Sequence, residues 1–111
     1  MDAAESMGTC CGPAHHERST AELENDVRTF AALANETRYE ALRLLSASQD
    51  EICACNLVPA LGVNQSTTSR ALGELYRAGL VDRRKDGRWR YYRATPRAET
   101  ILAAIDETRE D

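Results

Sequence analysis

At 111 residues the chain is long enough for one domain with a small core. Its net charge is −4, and the amino terminus is acidic and polar with no apolar run, so no secretory leader is expected. The longest uncharged stretch, Ile52 to Ser69, is broken by Asn, Gln, Ser, Thr, Gly and Pro, which excludes a membrane span and points to a cytoplasmic protein.

Residues 1–19 carry Gly8, Gly12, Pro13 and little apolar content, and read as a flexible arm with the cluster Cys10, Cys11, His15, His16. Residues 20–111 form the domain. Its first helix spans Thr20 to Ala34, capped by Ser19 or Thr20, with Leu23, Val27, Phe30, Ala31 and Ala34 at helical spacing. A second helix runs from Glu36 to about Leu45, with Tyr39, Ala41, Leu42, Leu44 and Leu45 largely inward, followed by a polar loop to Glu51. Ile52 to Cys55 leads into a short third helix, Asn56 to Leu61, whose Pro59 is tolerable only in the first turn.

Across Gly62-Val63 lies the stretch that organises the chain, Asn64 to Gly79. Its hydroxyl-rich front leads into Arg70, while Leu72, Leu75 and Tyr76 recur at i, i+3 and i+4 as an inner face. Two short helices across a glycine-containing turn read as helix-turn-helix, with the second as groove reader. Leu80 to Ala94 follows as a β-hairpin around Asp86-Gly87, with Arg83, Arg84, Lys85, Arg88 and Arg90 near its tip. Trp89, Tyr91 and Arg93 are expected on one face of its second strand, and Arg88, Arg90 and Tyr92 on the other. A basic hairpin after a helix-turn-helix is a wing suited to phosphates or the minor groove. Pro96 begins a last helix with the stripe Ala98, Ile101, Leu102, Ile105.

The charge distribution fits this. Gln65 to Arg97 holds nine cations against three acids, +6, and the remainder five against fifteen, −10, so basic charge is concentrated on the motif. The expected fold is mainly α with a small β-hairpin, a winged helix-turn-helix that forms a homodimer through its first and last helices on double-stranded operator DNA. DNA contacts are expected from Asn64, Gln65, Ser66, Thr67, Ser69 and Arg70, and from Arg83, Arg84, Lys85, Arg88 and Arg90.

Four cysteines in a reduced compartment direct attention to metal, metalloid or redox chemistry. They fall as Cys10-Cys11 and Cys53-x-Cys55. On a regular helix, residues two apart point about 200° apart, so Cys53 and Cys55 can grip one ion only from an extended or frayed lead-in. A helix amino terminus favours thiolate, and soft thiolates select thiophilic ions. The arm, from the same or the partner subunit, can bring Cys10 and Cys11 to the site, and His15 and His16 are candidate ligands of borderline metals.

FAALANETRYEALRLL, EICACNL and VNQSTTSRALGELYRAGLVDRRKDGRWRYYR together resemble the ArsR/SmtB family of winged-helix metalloregulatory repressors, over roughly Val27 to Ile105. The resemblance implies a homodimer that holds its operator without a cofactor. Arsenite or antimonite, As(III) or Sb(III), or else Cd(II), Pb(II) or Zn(II), then releases it. Cys53 and Cys55 match the family's thiolate box; where some arsenite sensors have a third cysteine this chain has Val58, which leaves Cys10 or Cys11 to supply it. Ala71 stands where a recognition-helix histidine is common, and the last helix has Asp106 and Glu107 but no histidine for the family's zinc site. A second reading makes the cysteines a redox switch that forms disulfides between the pairs. A third, a thiol-dependent metalloid-processing enzyme, has no general base beside the cysteines and no phosphate loop to support it, so no enzymatic activity is expected.

Overall fold

The structure, a computed structural model, describes residues 11–109. Among these described residues, five helices and a three-stranded antiparallel sheet follow in the order α1 (Thr20–Leu33), α2 (Glu36–Ser48), β1 (Ile52–Cys53), α3 (Ala54–Leu61), α4 (Gln65–Arg77), β2 (Val81–Asp86), β3 (Trp89–Ala94) and α5 (Pro96–Glu107). The strand order is β1-β3-β2.

Local chemistry accounts for where the helices start. Ser19 caps α1 reciprocally: its hydroxyl accepts the Glu22 N–H at 3.0 Å and Glu22 accepts the Ser19 N–H at 2.8 Å. Asn35, between the two helices, begins α2, because its side chain accepts the Arg38 N–H. Arg38 turns back to donate to the Ala32 and Ala31 carbonyls at 2.7 and 3.0 Å, satisfying orphan groups at the end of α1. The second helix outlasts its apolar pattern by three residues, to Ser48, and Gln49 ends it in the left-handed conformation.

Leu42, Leu45, Leu57, Leu72, Leu75, Leu80 and Leu102 are fully buried and form the core with Ala41, Val81 and Ala98. The domain thus closes around α2, α4 and α5, with the sheet packed beside α3. From α5, Arg97 donates to the Ala78 carbonyl at 2.7 Å and to the Thr29 hydroxyl at 2.5 Å, tying α5 to α1 and to the end of α4.

The first helix turns its apolar stripe outward. Thr29 and Ala32 are its buried residues, whereas Val27 is 64 % and Phe30 70 % exposed. The apolar stripe is present at the expected spacing but faces away from the core of its own chain.

Three expectations are corrected. Ile52 and Cys53 pair with Tyr92 and Tyr91 as an added strand, and the third helix starts at Ala54 rather than Asn56. Pro59 is therefore the sixth residue of α3, beyond the first turn. Having no N–H, it leaves the Cys55 carbonyl four residues back without its helical donor. Third, the hairpin register pairs Asp86 with Trp89, so the two turn residues are Gly87 and Arg88, and Arg88 lies off the strand face assigned to it. Gly87, at φ 64°, takes the first turn position, where a two-residue hairpin favours glycine.

Candidate nucleic-acid interface and thiol site

Asn64 caps α4, its side chain accepting the Thr67 N–H at 2.8 Å. Gln65, Ser66, Ser69 and Arg70 are exposed along the helix front, and Arg70 reaches the Thr67 hydroxyl at 3.4 Å. Thr68 turns inward and donates to the Asn64 carbonyl, so it is a packing residue despite its place in the polar run. Ala71 is buried as well. Tyr76 belongs to the outer surface, not the inner face: it is 41 % exposed, and Arg83 of the wing lies over its ring. The apolar inner face is continued instead by Leu72 and Leu75.

The wing has two unlike faces. Antiparallel register puts Arg83 opposite Tyr92 and Lys85 opposite Arg90, with Val81 and Ala94 on the same side at the base. That side carries three cations and no acid, and meets α4 through the Arg83–Tyr76 stack. The other side places Asp82 opposite Arg93 and Arg84 opposite Tyr91, with Asp86 and Trp89 nearest the tip. Here the charges pair off. Arg84 donates to Glu51 at 2.5 Å and lies 3.7 Å from Asp86, and Arg93 donates to Asp50 at 3.1 Å. The sequence marks all five tip cations alike; the register separates Arg84 from Arg83, Lys85 and Arg90. Arg88, in the turn, lies against the Trp89 ring.

Cys53 ends β1 and is the N-cap of α3, in extended backbone with φ −66° and ψ 135°, while Cys55 lies in the first helical turn. This break between strand and helix overcomes the opposed directions that a continuous helix would impose. The Cα atoms are 5.2 Å apart and the sulfurs are joined as a disulfide. The Cys55 N–H donates to the Cys53 sulfur at 3.3 Å, and the Asn56 side-chain oxygen lies 3.8 Å from the Cys55 sulfur. Cys53 is half-buried and Cys55 exposed, so reagents can reach the pair.

Both cysteines open onto a cleft of about 590 Å³ between α3, α4 and the wing. Gln65 and Ser69 line it from α4, and Arg88, Trp89 and Arg90 from the hairpin. Sulfur chemistry and the exposed front of α4 thus share one cavity, a juxtaposition that sequence spacing alone does not reveal. Cys11, His15 and His16 are exposed in the arm; Cys10 lies outside the described residues. Among the described residues no three His, Cys, Asp or Glu side chains gather into a metal-holding group. Asp106 of α5 instead pairs with Arg43, at 2.7 Å, and with Arg109.

A capped helix with a polar front beside a basic hairpin defines a winged helix-turn-helix DNA-binding regulator, and comparison with known proteins agrees. Residues 35–83 match the family described as "Bacterial regulatory protein, arsR family". The chain belongs to the ArsR family, whose members are transcriptional regulators rather than enzymes. It is 43 % identical over 109 residues to a putative arsenical resistance operon repressor, ArsR2, of Halobacterium salinarum, covering 98 % of this chain and 88 % of that protein. To the arsenical resistance operon repressor of Escherichia coli it is 39 % identical over 79 residues, covering 71 % and 67 %. Among solved structures it resembles the homodimeric winged helix-turn-helix domain of Mb0332 from Mycobacterium bovis, a possible ArsR-family transcriptional regulator. The TM-score is 0.73 at 32 % identity, covering 84 % of this chain and 85 % of that one. No helix among the described residues is long and apolar enough to cross a membrane.

Proposed function

We propose that the protein is a homodimeric repressor that holds operator DNA while its thiols are empty and lets go when Cys53 and Cys55, reduced to thiolates, capture As(III) or Sb(III). The observation that carries this reading is the shared cleft: both cysteines face the cavity bordered by Gln65, Ser69 and Arg90. An ion held there sits against the groove-reading helix and the wing together. The names of the Halobacterium and Escherichia relatives support an arsenical inducer. Cd(II), Pb(II) and Zn(II) are the competing ions, and Cys10 or Cys11 from the arm would supply a further thiolate.

In this reading Gln65, Ser66, Ser69 and Arg70 face the bases and adjoining phosphates, with Asn64 and Thr67 fixing the helix start. Arg83, Lys85, Arg88 and Arg90 reach the backbone. Dimerisation buries the outward stripe of α1 against the partner, with the last helix, α5, as the second element of the interface. The exposed Val27 and Phe30 support this.

Thermodynamically, the inducer must bind the DNA-free state more tightly, and DNA must weaken inducer binding by the same factor. An anisotropy titration on promoter duplex at fixed salt tests the proposal. Arsenite should release the reduced wild-type protein, while Cys53→Ser and Cys55→Ser should bind DNA normally and stay bound. Release of the double variant by arsenite would refute it.

The joined sulfurs favour one second reading, in which oxidation is the signal. Two thiols would give two electrons and two protons to peroxide, forming the Cys53–Cys55 bond and two waters. The switch would then close within the CxC pair instead of between the two pairs. Peroxide in metal-free buffer would release DNA, and arsenite added to reduced protein would not.

A further inference from the structure

The cysteine pair has a mechanical connection to the wing that does not pass through the recognition helix. Cys53 is paired in the ladder with Tyr91 of β3. Tyr91 is in turn opposite Arg84 of β2, whose guanidinium carbon lies 4.8 Å from the centre of the Tyr91 ring. Arg84 then reaches back to Glu51, donating from Nε at 3.1 Å and from Nη2 at 2.5 Å. Glu51 is two residues before Cys53, so the contacts close a ring: Cys53, Tyr91, Arg84, Glu51. Beside it Asp50 holds Arg93 of the same strand. The two acids at the entrance to β1 therefore fasten both hairpin strands to the thiol segment.

We infer that Glu51 is a positioning residue that, through Arg84, transmits soft-ion capture at Cys53 and Cys55 to the wing. This rests on the repressor reading above. In the structure, where the two sulfurs are joined, the Cys53 sulfur accepts the Cys55 N–H and helps cap α3, a contact that a Cys53 thiolate, the better acceptor, would keep. A thiolate that gives its lone pairs to an ion is a poorer acceptor, and the backbone of residues 53–55 must readjust. Pro59 makes that easier, because it removes the helical bond that would otherwise hold the Cys55 carbonyl. β1 is only two residues long, so movement of Cys53 reaches Glu51 almost undiminished. Arg84 follows its carboxylate partner, carrying β2 and the basic face that bears Arg83 and Lys85. Arg84 thereby acts as the wing's anchor rather than as a phosphate contact.

The test uses the full-length reduced protein, arsenite as probe and a promoter duplex. Three quantities are read: the ratio of operator Kd with and without arsenite, arsenite affinity of the DNA-free protein from sulfur–arsenic ultraviolet absorption, and the NMR shift of the Arg84 Nε–H on arsenite addition. Wild type should give a ratio of about tenfold or more. Glu51→Gln should lose about threefold of that ratio, in the range expected of one exposed ion pair, with arsenite affinity unchanged. The exchange Glu51→Arg with Arg84→Glu should regain coupling. An equal ratio in wild type and Glu51→Gln, or arsenite affinity that falls in parallel, overturns the connection. An Arg84 shift in wild type without DNA release keeps the connection and overturns the repressor reading; neither shift nor release overturns both.

Discussion

The guanidinium carbon of Arg83 lies 3.9 Å from the centre of the Tyr76 ring, so the wing rests on the recognition helix through a cation–π contact. At an exposed site such a contact contributes about 0.5–1 kcal/mol. Tyr76→Leu should lower operator affinity several-fold by loosening the wing while leaving the number of phosphate contacts intact. Arg83→Gln should also flatten the dependence of log K on log salt by about one. Anisotropy titrations over a salt series separate the two effects, and equal slopes in wild type and Arg83→Gln would remove Arg83 from the interface.

Phe30 is 70 % exposed on the single chain, so replacing it removes little from the chain's own core. Phe30→Glu should convert the dimer to a monomer that keeps its helical circular dichroism, and should weaken operator binding. Analytical ultracentrifugation checks the mass; a Phe30→Glu dimer as tight as wild type would exclude α1 from the interface.

The Arg43 guanidinium holds the Asp106 carboxyl below the ordinary aspartate range, with Arg109 adding to the effect. Glu51 is lowered in the same way by Arg84; Asp50 is lowered first by the Glu51 N–H and then by Arg93. A folded-state pKa below the unfolded one means that the ionised form is favoured in the native chain. The stabilisation is therefore complete above the ordinary carboxylate range of about 4 and is lost as pH falls through the lower folded value. Thermal melts from pH 7 to pH 2 should show wild type above Asp106→Asn at neutral pH and the two converging in acid. A gap that persists undiminished at pH 2 would mean that charge at Asp106 is not the source.

Asn64 caps the start of α4, its side-chain oxygen accepting the Thr67 N–H. Asn64→Ala should cost about 1 kcal/mol of stability and Asn64→Ser much less, as Ser is itself a good cap. Urea midpoints measure this, and a neutral Asn64→Ala would show that water or Gln65 satisfies the helix end.

The helices were legible because their signals are local. Ser19 with Glu22, Asn64 before a polar turn and Pro96 at a helix start act within a few residues, and spacing alone gives the faces of α2 and α5. What escaped depends on partners far away in sequence. A two-residue strand such as Ile52–Cys53 has no periodicity of its own and exists only because β3 presents Tyr91 and Tyr92. Tyr76 fits the inner stripe by spacing, but Arg83 offers its ring a better partner outside. Periodicity also reports that the Val27–Phe30 face is apolar without saying which chain covers it. The basic tip illustrates the same limit, since only the register shows that Arg84 and Arg83 point to opposite sides. The joining of Cys53 to Cys55 was half visible: the spacing requires an extended lead-in, and the strand-to-helix break supplies one.

Trp89 is the lone tryptophan of the chain, is 46 % exposed, and borders the same cleft as Cys53 and Cys55. All indole emission therefore originates at this one rim. Arsenic, a heavy atom, would quench it on arrival, and displacement of the nearby Arg88 would change its colour. The unlabelled protein thus carries its own optical gauge, with which occupancy of the cleft can be followed in real time on DNA and off it.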